Sequence, residues 1–276
     1  MNKVLEVRNL SKIYGRNCSQ CIALTGPDAD TNICPVCGSV VAIHDISFDL
    51  YEGEILGLMG ESGSGKSTIV KTLYFDESPS EGEAIFHDRD ETHRLFSLNA
   101  AQRRKLRNHR LGMVYQNPHL GLNFNITAGG NIAERLLMSD QMNYGHIREL
   151  AKSLLTRTEV QVSRIDELPK NFSGGMQQRV QIAKAIVTRP PLLFLDEVTT
   201  GLDLSVQARI LDLILEIQQE LNTAMVVVTH DLGVVRLLAA RTVVMKYGRI
   251  IETGLTDQIL EDPQHAYTQR LVASAL

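Results

Sequence analysis

No apolar run in this sequence of 276 residues approaches the ~20 residues that a helix needs to cross a bilayer. The chain starts with MNKVLE and has no apolar segment of the kind found in secretory signals. Its 28 basic and 32 acidic side chains nearly balance, which excludes a general electrostatic footprint for nucleic acid or an anionic membrane. We therefore expect a cytoplasmic protein that reaches a membrane only through a partner.

Cysteine is scarce, and its four copies are confined to two short motifs, Cys18-x-x-Cys21 and Cys34-x-x-Cys37, with twelve residues between them. In a cytosolic chain this spacing favours a metal site over disulfides. Four thiolates fill a tetrahedral site completely, so the sequence predicts a structural Zn²⁺ site. Iron held by the same ligands, as in rubredoxins, and four reduced thiols without metal are the alternatives.

Apolar runs and helical periodicity alternate along the rest of the chain. Strands are predicted at residues 3–10, 43–50, 55–59, 192–195 and 224–228. Helices are predicted from about Ser67 and at 132–137, 147–155, 205–220 and 267–275, and residues 100–170 are predicted to be mostly helical. This alternation is typical of an α/β fold with a largely parallel core.

A glycine-rich loop follows the predicted strand 55–59. The sequence of residues 60–67, GESGSGKS, fits the pattern GxxxxGK[ST], in which backbone N–H groups surround phosphate oxygens at the start of a helix. Lys66 should reach the β- and γ-phosphates, and the Ser67 hydroxyl should bind Mg²⁺. The strand before the loop and the helix after it make a chance glycine turn improbable.

Two acidic residues close the apolar strand 192–195. Asp196 and Glu197 should lie at the carboxyl end of that strand, where ligands bind in open α/β sheets. Asp196 is predicted to hold Mg²⁺ through water, and Glu197 is the candidate general base that orients the attacking water.

The segment FSGGMQQR, residues 172–179, narrows the class. Many nucleotide-binding proteins have a phosphate loop, but few have SGGxxQR about a hundred residues later, before an apolar strand that ends in Asp-Glu. The chain thus resembles the ATP-binding cassette (ABC) ATPases. The resemblance implies one domain, 1–276, with a RecA-like parallel core and N-terminal antiparallel strands (about 1–90 and 186–254). It also implies a helical signature subdomain (about 91–185) and a tail (255–276), and a zinc-ribbon-like insert (about 16–40) interrupts the pattern.

The resemblance also assigns roles to single residues. Ser173, Gly174, Gly175 and Gln177 match the signature that faces the ATP of a second cassette. The other matches are Tyr14, which stacks on adenine; Gln116, which contacts Mg²⁺; Asp203, which communicates across the dimer; and His230, which contacts the γ-phosphate. The predicted phosphate-loop contacts are Gly60, Glu61, Ser62, Gly63, Ser64, Gly65, Lys66, Ser67 and Thr68. The predicted catalytic residues are Glu197, His230 and Lys66, and the predicted Mg²⁺ ligands are Ser67, Gln116 and Asp196. Two residues depart from the family, Val198 where Pro is common and Phe172 where Leu is usual.

A narrower resemblance involves segments such as AGGNIAERL (128–136), IDELP (165–169) and HAYTQ (265–269). They are similar to the ATP-binding K subunit of the bacterial carbon–phosphorus lyase system. This similarity implies an ATPase that closes as a dimer, with a second copy the expected partner, and that binds a soluble lyase core complex in phosphonate catabolism.

Two other classes stay open. ATPases of oligopeptide- or nickel-type importers share these motifs and act on a membrane permease, although they usually continue well past the segment at 265–269. Zinc-containing DNA-repair ABC ATPases are a third class, and the basic run at 103–110 could touch phosphates. They carry two cassettes per chain, so a nucleic-acid partner is not expected. The cysteine insert departs most from the K-subunit pattern, and we hypothesise that it contacts a partner or restrains the adenine-side loop.

Overall fold

The computed structural model describes residues 2–88, 91–138 and 143–274. Within them, the strands are β1 (Lys3–Tyr14), β2 (Val40–Tyr51), β3 (Ile55–Met59), β4 (Glu81–Asp88), β5 (Glu91–Arg94), β6 (Leu111–Val114), β7 (Leu192–Asp196), β8 (Ala224–Thr229), β9 (Arg241–Lys246) and β10 (Arg249–Leu255). The α-helices are α1 (Lys66–Leu73), α2 (Ala100–His109), α3 (Pro118–Gly121), α4 (Ala128–Leu137), α5 (Tyr144–Arg157), α6 (Gly174–Ile186), α7 (Leu204–Leu221), α8 (Leu232–Leu238), α9 (Thr256–Glu261) and α10 (Ala266–Ala273). Ala275, which ends the predicted helix 267–275, and the predicted helical residues 139–142 lie outside the described residues.

The chain divides into two compact units. The first consists of Met1–Arg103 and Ala224–Leu276, and the second consists of Arg104–Thr223. The predicted division into core, helical subdomain, insert and tail stays a prediction. No helix of the described residues is long and apolar enough to span a membrane.

The first unit contains an antiparallel sheet in the order β2-β1-β4-β5. Strand β1 extends four residues beyond the predicted strand 3–10, because pairing with β2 continues through irregular register as far as Tyr14. The cysteine insert lies between these two paired strands, with a short 3₁₀ helix at Pro27–Ala29. Its two ends therefore leave and rejoin one sheet.

Strand β3 lies between β8 and β9 in the first unit, and all three run parallel. Every residue of β3 is buried, as its continuous apolar sequence predicts. Met59 at its end is opposite Thr229 of β8 and Val244 of β9. The segments that follow these strands, including the phosphate loop and His230, therefore start at one edge of the strands.

The second unit contains a parallel pair, β6 and β7, in which Val114 is opposite Leu195. Residues 100–170 are predicted to be mostly helical and contain α2 to α5 as expected, but Leu111–Val114 form β6. Four residues are too few to show a period, and their pairing with β7 decides their structure. The helices α4, α5 and α7 contain the predicted segments 132–137, 147–155 and 205–220 and extend them at their ends.

Candidate functional site

The phosphate loop joins β3 to α1, and its shape depends on glycine. Gly60 has φ of 146°, and a Cβ there would lie 2.2 Å from the carbonyl oxygen of Met245. Gly65 has φ of 104°, and its Cβ would lie 2.3 Å from the carbonyl oxygen of Ala42. Backbone atoms cause both contacts and cannot rotate away, so no side chain fits at either position.

The ammonium group of Lys66 lies under this loop. The residue is 4% exposed. Its Nζ donates to the carbonyl oxygens of Gly60 at 2.7 Å and Glu61 at 2.8 Å, and to Ser64 Oγ at 3.3 Å. The outer residues Glu61, Ser62 and Gly63 are exposed, whereas Ser67 and Thr68 are half-buried in the first turn of α1. The lysine charge is thus fixed at the helix start, where phosphate groups are favoured.

Tyr14, the predicted adenine contact, is held by its hydroxyl. The hydroxyl donates to the Glu77 carboxylate and is hydrogen-bonded by the Thr68 side chain. Burial and the Glu77 carboxylate raise the pKa of Tyr14 to about 12. Tyr14 is 38% exposed, and Lys12 Nζ lies 4.9 Å from its ring centroid. The tyrosine is therefore anchored beside α1 with part of its ring free to make a contact, and its adenine role stays a prediction.

His230 is exposed and directly follows β8. Its position is set by the next residue, Asp231, whose backbone N–H donates to Thr229 Oγ1 at 3.1 Å. The Asp231 carboxylate caps α8 by accepting from the N–H groups of Gly233 and Val234 at 2.8 and 3.2 Å. The turn around His230 is thus fixed from both sides.

In the second unit the structure brings Gln116 and Glu197 together. Gln116 Nε2 donates to Glu197 Oε2 at 2.8 Å, and Thr200 Oγ1 donates to the same oxygen at 3.3 Å. Asp196 is the last residue of β7 and only 2% exposed, and Glu197 has a left-handed φ of 47°. Because β6 and β7 run parallel, the predicted magnesium contact and the predicted base leave the same edge of the pair.

The signature segment is organised around the start of α6. Ser173 caps this helix, with its Oγ accepting from the Met176 N–H at 3.4 Å. The Gln177 amide donates to the carbonyl oxygens of Pro169 and Phe172 at 3.0 and 3.1 Å. Gln177 thus stabilises the turn within its own chain, and its predicted contact with a second cassette stays untested.

Phe172 at the start of the signature segment and Asp203 before α7 have defined partners too. The guanidinium of Arg164 lies 4.5 Å from the ring centroid of Phe172, a contact that leucine could not make. Asp203 caps α7 by accepting from the Val206 N–H at 3.0 Å, and hydrogen bonds from Ser205 and Val206 lower its pKa. Its predicted role in communication stays a prediction.

Sequence reasoning missed two buried glutamines on α6. Gln181 Oε1 accepts from the Tyr115 N–H at 2.7 Å, and its Nε2 donates to the Tyr115 carbonyl at 3.0 Å. Gln178 Nε2 donates to the same carbonyl at 3.3 Å. These side chains clamp the backbone next to Gln116. Two polar residues three apart on the buried face of a helix are the signal that could have indicated them.

The four cysteine sulfurs lie within 4.8 Å of one another. Sulfur–sulfur distances are 3.5 Å for Cys18–Cys21, 3.7 Å for Cys18–Cys34 and 3.4 Å for Cys21–Cys37. Zn–S bonds of about 2.3 Å in a tetrahedron place sulfurs about 3.8 Å apart, so the arrangement fits a Cys₄ site. Hydrogen bonds with the Ser39 side chain and backbone lower the pKa of Cys37 to about 6, whereas, against the lowering effect of the Cys18 backbone, burial and hydrogen bonds with the other three cysteine side chains raise the pKa of Cys21 to about 12.

Comparisons with known proteins agree with this geometry. A model of the family described as ABC transporter matches residues 43–200. One relative is the phosphonates utilization ATP-binding protein PhnK of Escherichia coli strain K12, which is 52% identical over 232 residues. That match covers 84% of this chain and 90% of the relative. The oligopeptide transport ATP-binding protein OppD of Bacillus subtilis strain 168 is 39% identical over 248 residues, covering 86% of this chain and 67% of the relative.

A solved structure with a similar fold is that of the dimeric cassette MJ0796, in a post-hydrolysis state bound to ADP and Pi. The TM-score is 0.77 at 26% identity, covering 91% of this chain and 98% of that chain. The chain therefore belongs to the ABC family and is an ABC ATPase, and the predicted cassette fold is confirmed. Within the family, it is similar to the phosphonates utilization protein PhnK.

Proposed function

We propose that this ATPase works in phosphonate utilisation, with a soluble carbon–phosphorus lyase complex as its partner. The observation that carries the proposal is the 52% identity with PhnK over nine-tenths of that relative, against 39% with the oligopeptide transport protein. Both relatives are ATP-binding proteins by name, so ATP binding does not distinguish them, and we attribute the higher identity with PhnK to a shared partner. We place the protein in the cytoplasm, where ATP and reduced thiols are available.

The proposed cycle is ATP binding, closure of two copies, hydrolysis and reopening. The phosphate loop with Lys66 and Ser67 binds the phosphates and Mg²⁺, and a Glu197-oriented water attacks the γ-phosphate. Charge on the transferring group is offset by Lys66, His230 and Ser173 of the second copy. Support for the dimer comes from the MJ0796 cassette, which is dimeric with ADP and Pi, and from the exposed Ser173 at the start of α6 in this chain.

The partner is tested by affinity purification of the tagged protein from cells that use a phosphonate as sole phosphorus source. We expect the soluble lyase subunits to co-purify, and to co-purify in larger amount with Glu197→Gln, which should hold ATP in the closed dimer. The matched control is Lys66→Ala, which should not close on ATP. Recovery of a membrane permease from the detergent-solubilised fraction, without lyase subunits, would establish the importer alternative and contradict the proposal.

We also propose that the four cysteines bind a structural Zn²⁺. The sulfur–sulfur distances and the burial of Cys21 and Cys34 (0% and 1% exposed) support a closed site without an open position for substrate. The purified chain should contain one zinc per polypeptide, and Cys34→Ser should contain none. Inductively coupled plasma mass spectrometry measures the zinc content. Visible absorbance from iron–thiolate bonds, with one iron per chain, would assign the site to iron instead.

A further inference from the structure

We propose that the cysteine insert, with metal bound, stabilises the conformation of the phosphate loop. Metal binding by the cysteines and ATP binding by the loop should then strengthen each other. This inference rests on the proposed metal site and adds a coupling that no cassette motif predicts. Two routes of contact connect the insert to the loop, and both lie inside the first unit. Each begins within four residues of Cys34.

The first route is direct. Asn32 Nδ2 donates to the carbonyl oxygen of Gly63, in the outer turn of the phosphate loop, at 3.4 Å. Asn32 is itself held by the Val41 N–H, which donates to its carbonyl at 2.8 Å. The next turn binds the metal ligand, since the Cys34 N–H donates to the Ser39 carbonyl at 2.8 Å. Movement of the cysteine knuckle therefore moves the side chain that touches Gly63.

The second route runs through Lys246, the last residue of β9. Asp30 of the insert accepts from Lys246 Nζ at 2.7 Å, and Lys246 lowers the pKa of that carboxyl. The same ammonium lies 5.4 Å from the ring centroid of Tyr267 on α10. Tyr267 is 4% exposed, and its Oη accepts from the backbone N–H of Glu61 at 3.1 Å. An unbroken series of contacts thus leads from the insert to the first turn of the phosphate loop.

Gly248 and Arg249, which follow Lys246 closely, also contact the loop and the insert. Arg249 Nη2 donates to the Ile22 carbonyl of the insert at 3.3 Å, while the Gly248 N–H donates to the Ser64 carbonyl of the phosphate loop at 3.0 Å. The insert and the phosphate loop therefore both contact one short segment, residues 246–249.

The physical consequence is a linkage between two sites. Without metal, four thiols and the loops that carry them can adopt many arrangements, and holding Asn32 and Asp30 in place then costs conformational entropy. With metal bound, this conformational entropy is already lost before ATP binds, so ATP binds to a loop that has one conformation. Linkage is reciprocal, and bound ATP must strengthen metal binding by the same factor. Couplings of this kind typically change affinity by about 5- to 150-fold, and we expect about 10-fold here.

The test uses the full chain and variants that keep all four cysteines. Asp30→Ala with Asn32→Ala removes the Asn32 and Asp30 side-chain routes, and leaves the metal ligands and the contact of Arg249 with the Ile22 carbonyl in place. It should retain one zinc per chain and bind a non-hydrolysable ATP analogue about 10-fold more weakly, within the range of typical couplings. The matched control is Asp28→Ala, a neighbouring acid of the insert outside both routes, which should bind the analogue as the unchanged chain does. Thermal unfolding checks that each variant is folded.

The reciprocal measurement is zinc transfer from the protein to a coloured chelator. In the unchanged chain the analogue should raise the apparent zinc affinity by the factor by which zinc raises ATP affinity, and in the double variant this factor should be much smaller. Equal ATP affinities of the zinc-loaded chain, the zinc-free chain and the double variant would overturn the coupling alone. A chain that binds no zinc under any condition would overturn the metal site as well.

Discussion

The phosphate loop and the signature segment both contain glycines that belong to their motifs. The structure constrains Gly60 of the loop and Gly174 of the signature differently. A Cβ on Gly60 would lie 2.2 Å from the Met245 carbonyl oxygen, at a φ of 146° that side chains rarely adopt. A Cβ on Gly174, at the start of α6, would meet no heavy atom within 4 Å. Gly174 is also exposed. The fold of the chain therefore requires one glycine and leaves the other unexplained.

This difference indicates where each glycine is used. Gly60 is needed for the loop to fold, whether or not nucleotide is bound. The space beside Gly174 is useful only if something outside the chain comes close to the start of α6, and in the proposed cycle this is the ATP of a second copy. The proposed dimer would therefore account for Gly174, which the contacts within the monomer do not explain.

The largest expected effect separates ATP binding from hydrolysis. Glu197→Gln keeps the size of the side chain and removes the base, so turnover should fall by about 10³-fold while ATP still binds. ATP should then convert the variant into a stable dimer, measured by light scattering after size-exclusion chromatography. Turnover at the rate of the unchanged chain would remove Glu197 from its assigned role. The ATP-bound dimer of Glu197→Gln is the state in which substitutions of Gly60 and Gly174 can be compared.

Gly60→Ala should act on the monomer. The clash with the Met245 carbonyl and the strained φ should lower the free energy of unfolding by about 3 kcal/mol and ATP affinity by at least about 100-fold. In the Glu197→Gln background, ATP should then fail to produce a dimer. Calorimetric titration and thermal unfolding measure the two effects. An alanine variant with the ATP affinity and stability of the unchanged chain would mean that the loop can relax away from Met245.

Gly174→Ala should act only on the dimer. In a helix alanine is favoured over glycine by up to about 1 kcal/mol, so stability should be unchanged or slightly higher, and monomer ATP affinity unchanged. Turnover should nevertheless fall by about 10-fold. We expect the added methyl group to make dimer closure less favourable by about 1.4 kcal/mol, which reduces the population of the closed dimer by that factor. Full activity of this variant would contradict our explanation of the difference between the two glycines.

The smallest effect concerns the departure from the family at the signature. Phe172→Leu restores the usual residue but removes the stacked contact with Arg164. We expect the free energy of unfolding to fall by about 1 kcal/mol, measured by denaturant titration, with turnover unchanged. A large loss of turnover would show that the aromatic ring acts in closure rather than in local packing.

The sequence predicts the elements that carry strong local signals. Strand β3 has the predicted bounds because five consecutive apolar residues end at a glycine turn. Strand β6 is not predicted, since its four residues become a strand only by pairing with β7. Among site residues, the motif positions are predictable, whereas Gln178 and Gln181 are not, because their function depends on which backbone lies beside α6.

The cysteine insert shows the same limit. The spacing of its four cysteines predicts a metal site, and the sulfur distances fit one. Its contact with the end of β9, which leads on to the phosphate loop, could not be predicted, since Asp30 and Lys246 are 216 residues apart in the chain. Long-range contacts of this kind depend on the whole fold and leave no local pattern.

The hydrogen bonds of Lys66 have a consequence for how fast nucleotide is captured. Its ammonium already donates to two loop carbonyls and to Ser64 Oγ. In the proposed cycle the lysine should exchange these oxygens for phosphate oxygens when ATP binds, and the loop should not first have to be ordered around a mobile cation. The loop is thus preorganised, and much of the entropy of assembling a phosphate site is lost during folding instead of at each encounter. Association should accordingly be fast, with differences in nucleotide affinity expressed mainly in the rate of release.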